Sequence, residues 1–373
     1  MDRRQFLALS TSGLFSLAAL KSMAKRPSTS KYSIVILGDT HFDTEPASVY
    51  HSNYMEKVDW LNRVQRTEFA RNGEMWRERC PRLLKRASRL ITPDTRMVLQ
   101  MGDLIQGDCG KGEVHRKMLD DVLNNFKKEL KGLPFVTVVG NHDIRGTEAK
   151  EVYHQYMPER MSQELGKTIQ KTTFGFTIGN DAYIAIDFND PDDSEIEKLL
   201  KETEGARHTF VITHGPLLPY DASSCRWFLH GANTDKHTAA RLHFRELFAK
   251  RQVMCLCGHV HTTEFADWYG DGGRITQVTM NSVWARDNQK EFTILSQGAD
   301  SYGEARKQIK ASDNGSQLQD ETPLFDEYRP GLKEYIRTKG AGSYKLNVSK
   351  HKVTIDFYGG DSEQITRTFV LRT

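Results

Sequence analysis

Residues 34–41 read Ile34-Val35-Ile36-Leu37-Gly38-Asp39-Thr40-His41: four apolar residues, a glycine, then two side chains able to bind metal, one residue apart. Such a run is too short for a helix and shows no polar alternation, so it reads as a strand buried on both faces. The pattern recurs four times. Met97-Val98-Leu99-Gln100-Met101 leads into Gly102-Asp103, and Phe135-Val136-Thr137-Val138-Val139 into Gly140-Asn141-His142-Asp143. Phe210-Val211-Ile212-Thr213 leads into His214-Gly215, and Val253-Met254-Cys255-Leu256-Cys257 into Gly258-His259-Val260-His261. Open α/β sheets place their crevices just beyond the carboxyl ends of the strands. Five strand ends bearing Asp, His and Asn would therefore converge on one site with the donor set of a divalent metal.

Spacing and charge sharpen the chemistry. In Asp39-x-His41 and His259-x-His261 the paired side chains leave their loop on the same side and can reach one cavity. Asn141 and His142 are adjacent and point to different targets, one to metal and one toward substrate. Only Asp39 and Asp103 are anionic, whereas Asn141, His214, His259 and His261 are neutral donors. Two divalent cations would leave an excess of about +2, which suits a phosphoryl group better than a peptide carbonyl.

At these five motifs, over about residues 31–285, the chain resembles the calcineurin-like metallophosphoesterase superfamily. The resemblance implies an α/β fold, a two-sheet β-sandwich flanked by helices in four αββα layers, with two metal ions (Mn, Fe or Zn) at the sheet edges. Carried over by motif, Asp39, His41 and His261 would hold the first metal, and Asn141, His214 and His259 the second. Asp103 would bridge both. A hydroxide bridging the metals would attack phosphorus, and His142 would protonate the leaving oxygen or stabilise charge on it. Where purple acid phosphatases have a Tyr ligand three residues after the bridging Asp, this chain has Gln106, which argues against a tyrosinate–ferric centre. Phosphoprotein phosphatases have Asp followed by Arg there; Gln106-Gly107 supplies neither. Asp108 stands as a substitute to orient His142. Arg145 has two readings, a phosphate contact or an exposed loop residue. His115, His230, His237 and His243 read as surface or packing residues, and Trp227 and Phe228 as pocket lining or as cover for the sheet edge.

The 373 residues carry 52 basic and 49 acidic side chains, a net charge of +3. Residues 1–24 form a basic start, Arg3-Arg4, an apolar stretch from Phe6 to Leu20 and a small-residue end at Ala24, the pattern of a cleaved signal peptide of twin-arginine type. That reading implies passage through export machinery to a periplasmic or secreted location, with no stable membrane span in the mature form. Removing it takes away Arg3, Arg4, Lys21 and Asp2, so +3 becomes +1. A nearly neutral chain without aromatic and basic residues interleaved makes nucleic acid an unlikely partner and leaves a nuclease as the alternative enzyme. A non-catalytic phosphate-ligand binding protein is the alternative outside enzymes. The favoured reading is an exported hydrolase of a phosphodiester or phosphomonoester.

The domain is expected over 31–373, with a helical insertion at about 44–93 interrupted by Pro81, and a polar excursion at about 287–341. Hairpins are expected at Thr173–Ile178 with Ala182–Phe188 and at Ser343–Val348 with Lys352–Tyr358, and a last strand at Ile365–Leu371. Of the five cysteines, Cys255 and Cys257 alternate on one strand face as buried residues, and a Cys109–Cys225 disulfide is left open.

Overall fold

The computed structural model describes residues 31–43, 78–222, 225–282, 293–312 and 320–373. The five runs become β1 (Tyr32–Leu37), β2 (Thr95–Gln100), β3 (Phe135–Thr137), β6 (Thr209–Thr213) and β7 (Met254–Cys257). The hairpin strands are β4 (Phe174–Ile178) and β5 (Asp181–Ile186), joined by the tight turn Gly179-Asn180. Two further strands, β8 (Thr263–Gly270) and β9 (Gly273–Thr279), are followed by β10 (Thr293–Gln297) and β11 (Leu332–Lys339). The chain ends in β12 (Gly342–Val348), β13 (Val353–Gly359) and β14 (Arg367–Arg372), close to the expected hairpin and last strand.

They form two mixed sheets, one in the order β14-β13-β12-β1-β2-β3 and the other in the order β10-β11-β8-β9-β7-β6-β5-β4. Within the first sheet β1, β2 and β3 are parallel, and within the second β5, β6 and β7 are parallel. Their carboxyl ends therefore open on one edge of each sheet, and a bridge between Asp39 and Asn281 joins the two edges.

The continuous apolar runs are explained by burial on both faces. On β7, Met254 and Leu256 belong to the core between the sheets, whereas Cys255 and Cys257 face a second core. That second core is roofed by the helices Asp193–Glu202, Asp235–Lys250 and Thr322–Tyr328, through Ile196, Phe244 and Phe325 among others. Helices Gly112–Glu129 and Ala149–Leu165 cover the first sheet. Two sheets flanked by helices are the architecture that the motifs implied. All five cysteines are free and buried, Cys109 and Cys225 included.

The stretch 287–341 is corrected in its described part. Strands β10 and β11 extend the eight-stranded sheet, and Tyr302, Leu324, Phe325, Tyr328 and Tyr335 are buried in the second core. These large apolar side chains stand singly among many polar ones, so averaged composition concealed them. Residues 78–90 are helical with Pro81 near the start of the described part, burying Leu83, Leu84, Ala87 and Leu90 and exposing Arg82, Lys85 and Arg89. The rest of the expected insertion, 44–77, and the expected signal peptide lie outside the described residues.

Candidate metal centre

Each strand end delivers its side chain within four residues of the last paired residue, through loops too tight for ordinary backbone. Asp103 (φ 49°), His41 (φ 44°), His259 (φ 71°) and His261 (φ 51°) all adopt left-handed conformations, a strain concentrated at functional sites. Two of the glycines that open the site loops are required by space. A Cβ on Gly140 would lie 2.0 Å from the Asp103 nitrogen, and one on Gly258 would lie 2.2 Å from Asp39 Oδ1.

The side chains meet in two groups. Asp39, His41, Asp103 and His261 each offer one donor atom, all within 4.8 Å of one another, and so do Asp103, His214 and His259. Asp103 belongs to both. In the first group His261 Nε2 lies 3.0 Å from Asp39 Oδ2 and 3.2 Å from His41 Nε2. In the second, His214 Nε2 lies 3.2 Å from Asp103 Oδ2, 3.1 Å from His259 Nδ1 and 3.3 Å from Asn141 Oδ1. The motif residues Asp39, His41, Asp103, Asn141, His214, His259 and His261 are thus brought together.

The partners of these groups orient them. His214 Nδ1 lies 2.7 Å from the Met101 carbonyl, so Nδ1 carries a proton and Nε2 is aimed at the group. Asp103 Oδ1 accepts the His142 main-chain N–H at 2.8 Å, leaving Oδ2 to face both groups. Both Asp39 oxygens accept the His259 N–H, at 3.0 and 3.1 Å.

Electrostatics match a cation site. Burial favours a neutral Asp103, yet the imidazoles of His214, His142 and His41 hold its carboxyl well below the usual range. Burial opposes charge on His214, but Asp103 and Asp39 raise it to about 9. Burial and neighbouring imidazoles hold His41 and His259 well below their ordinary value. An anionic Asp103, neutral imidazoles at His41 and His259, and a His214 whose proton a cation would displace make an oxygen and nitrogen donor set that fits two divalent ions sharing Asp103.

His142 lies at the rim of the first group, its ring centroid 4.5 Å from that of His41. Its Nδ1 is 2.8 Å from the Gln106 carbonyl, and burial lowers its pKa to about 3. The ring is therefore neutral, with a lone pair at Nε2. Asp108 does not orient it. The Asp108 carboxylate binds Arg145 instead, with Arg145 Nε donating at 2.7 Å, because Gly107 and Asp108 at positive φ turn the carboxylate toward Arg145. The orienting acceptor is a backbone carbonyl, which no side-chain motif could reveal. Arg145 is tethered at the rim, close enough to oppose a proton on His142.

Three contributors escaped the sequence reading. Asp143, wholly buried, accepts the Ile105 N–H at 3.0 Å on Oδ1 and the Gly140 N–H at 2.8 Å on Oδ2, joining two of the loops. Gln100 Nε2 donates to the carbonyls of Gly38 and Gly102, while its Oε1 accepts from the Gly102 N–H and the Thr137 hydroxyl. A lone amide inside an apolar run was the available signal. Phe188, just past β5, packs 5.5 Å from the ring of His214 and 5.7 Å from that of His259. His115 is buried with Nε2 2.8 Å from the Asp143 carbonyl, and His230 and His243 pair with Asp193 and Glu197.

Residues 32–263 match the family model described as calcineurin-like phosphoesterase. The chain belongs to that family. It is a metal-dependent phosphoric ester hydrolase, a metallophosphoesterase by family and by its clustered Asp and His donors. Among solved structures it is similar to a purple acid phosphatase from yellow lupin (Lupinus luteus) seeds, with 13% identity and a TM-score of 0.50 over 92% of this chain and 54% of that one. The chain thus spans about half of that phosphatase, and the likeness is one of fold. PhoD (11% identity, TM-score 0.48, 92% and 70% covered) and GAP50, the anchor in the inner membrane complex of Plasmodium (14% identity, TM-score 0.47, 92% and 89% covered), also match. No curated protein matches the chain in sequence.

Proposed function

We propose that this phosphoesterase holds two divalent metal ions and hydrolyses a small phosphomonoester or phosphodiester at them. Asp39, His41 and His261 would hold one ion, Asn141, His214 and His259 the other, and Asp103 both. The observation that carries the reading is the sharing of Asp103 Oδ2 between two converging donor groups. When bound, the metals would supply the Lewis-acid charge that makes water nucleophilic at neutral pH and offsets the charge of the phosphoryl group. The chain's own residues would fix geometry and move a proton. With Nδ1 tied to the Gln106 carbonyl, His142 Nε2 would be the acceptor, so it must gain a proton before it can protonate the leaving oxygen. The negative charge of a phosphate ester would raise its affinity for that proton. Gln106 would hold the ring in this tautomer throughout.

Export through a twin-arginine-type signal at 1–24 belongs to the same proposal, supported by Arg3-Arg4 and the apolar stretch that follows. Among the described residues no helix is long and apolar enough to cross a membrane. The test of function is hydrolysis of p-nitrophenyl phosphate beside bis-p-nitrophenyl phosphate by Mn²⁺-loaded protein. Metal-dependent turnover supports the proposal, and the better substrate separates monoesterase from diesterase. Turnover unaffected by chelation would refute it. Processing at Ala24 in a cell fraction tests export.

A further inference from the structure

Trp227 stands over the second donor group with 51% of its surface exposed, whereas its neighbours Phe228 and Leu229 are buried in the second core. The chain thus turns two apolar residues inward and leaves the largest one facing out beside a polar site. The indole lies almost parallel to the His259 imidazole, 14° between planes and 5.3 Å between centroids. Tyr220 meets the same imidazole edge-on at 6.0 Å, and Phe188 packs against it at 5.7 Å. These aromatics border the Asp103–His214–His259 group, while the other group is flanked by His142. One indole face covers His259. Half of the Trp227 surface stays exposed beside that donor residue, where a substituent on a phosphate held at the site would meet it. Aromatic faces favour planar partners in offset stacks over saturated groups of equal size.

We propose that Trp227 is the specificity-determining residue of this site: its exposed indole receives a planar aromatic substituent of the phosphate ester while the phosphoryl group lies at the metals that the two donor groups would hold. The proposal rests on the phosphoesterase reading and names the substrate class for it, aryl rather than alkyl phosphate esters.

Calorimetric titration of Mn²⁺-loaded protein with phenyl-, cyclohexyl- and methylphosphonate tests it without turnover. The wild type should bind phenylphosphonate roughly three- to tenfold tighter than methylphosphonate, the scale of one aromatic stack, with cyclohexylphosphonate between them. Trp227→Ala should erase the phenyl preference, and Trp227→Phe should keep most of it. In turnover, Trp227→Ala should raise KM for p-nitrophenyl phosphate more than for glycerol phosphate. Retention of the phenyl preference in Trp227→Ala would overturn the proposal. So would equal weakening of all three ligands together with weaker Mn²⁺ binding, since Trp227 would then merely support His259. If neither phenyl- nor methylphosphonate binds wild-type protein carrying two Mn²⁺ ions, the reading of these donor groups as a two-metal phosphate-ester site fails, and the proposal with it.

Discussion

Asp143→Asn should damage both the fold and the site, although Asp143 belongs to neither donor group. Its two oxygens accept main-chain N–H groups from Ile105 and Gly140, which flank Asp103 and Asn141 along the chain. An Asn amide presents one oxygen and one NH₂, so whichever way it is turned, one buried N–H faces another donor. The loss of one charge-assisted bond and the orphaning of a buried donor together cost about 2–4 kcal/mol. Burial, reinforced by nearby Asp103, pushes the Asp143 carboxyl up to about 7, so the comparison belongs at pH 8, where the carboxylate is ionised. A shift of about 1 Å in either loop would lower kcat on the order of 10²-fold. Thermal unfolding and the kinetics of bis-p-nitrophenyl phosphate hydrolysis measure the two effects. A variant with wild-type melting temperature and wild-type kcat would refute the reasoning. A destabilised variant with wild-type kcat would show that Asp143 braces the fold but not the site.

Other outcomes follow from the same geometry. His142→Ala should lower kcat by about 10²–10⁴-fold while leaving the Mn²⁺ content of the purified protein unchanged, since the side chain is placed to move a proton. Elemental analysis beside steady-state kinetics checks both. Burial lowers the His115 pKa to about 4, so below about pH 6.5 the unfolded chain binds a proton that the folded one refuses. Stability should therefore fall from pH 6.5 to 4 by up to about 3 kcal/mol and level off below that. In His115→Gln, which keeps a donor near the Asp143 carbonyl, this acid limb in denaturant unfolding should flatten.

The site was more legible than the fold around it, for a physical reason. Its residues sit at the carboxyl ends of strands buried on both faces, where apolar runs are continuous and their ends sharp. The tight, left-handed loops that follow exclude side chains at Gly140 and Gly258, so the glycines announced the turns. What orients the ligands was concealed because it is backbone or single polar atoms. The carbonyls of Gln106 and Met101 carry no sequence signal, and Asp143 read simply as the end of a motif. Asp108 invited a catalytic reading by its position, but backbone conformation sent its carboxylate to Arg145. Between 293 and 341 the strands and helices are anchored by isolated aromatics such as Tyr302 and Tyr335, which no periodicity announces.

The central claim is that one carboxylate serves two metal positions at which phosphate esters are cleaved. Equilibrium Mn²⁺ binding to wild type and Asp103→Asn, read beside bis-p-nitrophenyl phosphate hydrolysis by the same preparations, tests it most directly. The account predicts two Mn²⁺ ions per wild-type chain. It predicts that the variant loses tight binding at one or both positions and at least about 10²-fold in kcat/KM, the scale of losing metal-assisted stabilisation. An Asp103→Asn protein that still binds two ions tightly and turns over at the wild-type rate would contradict it.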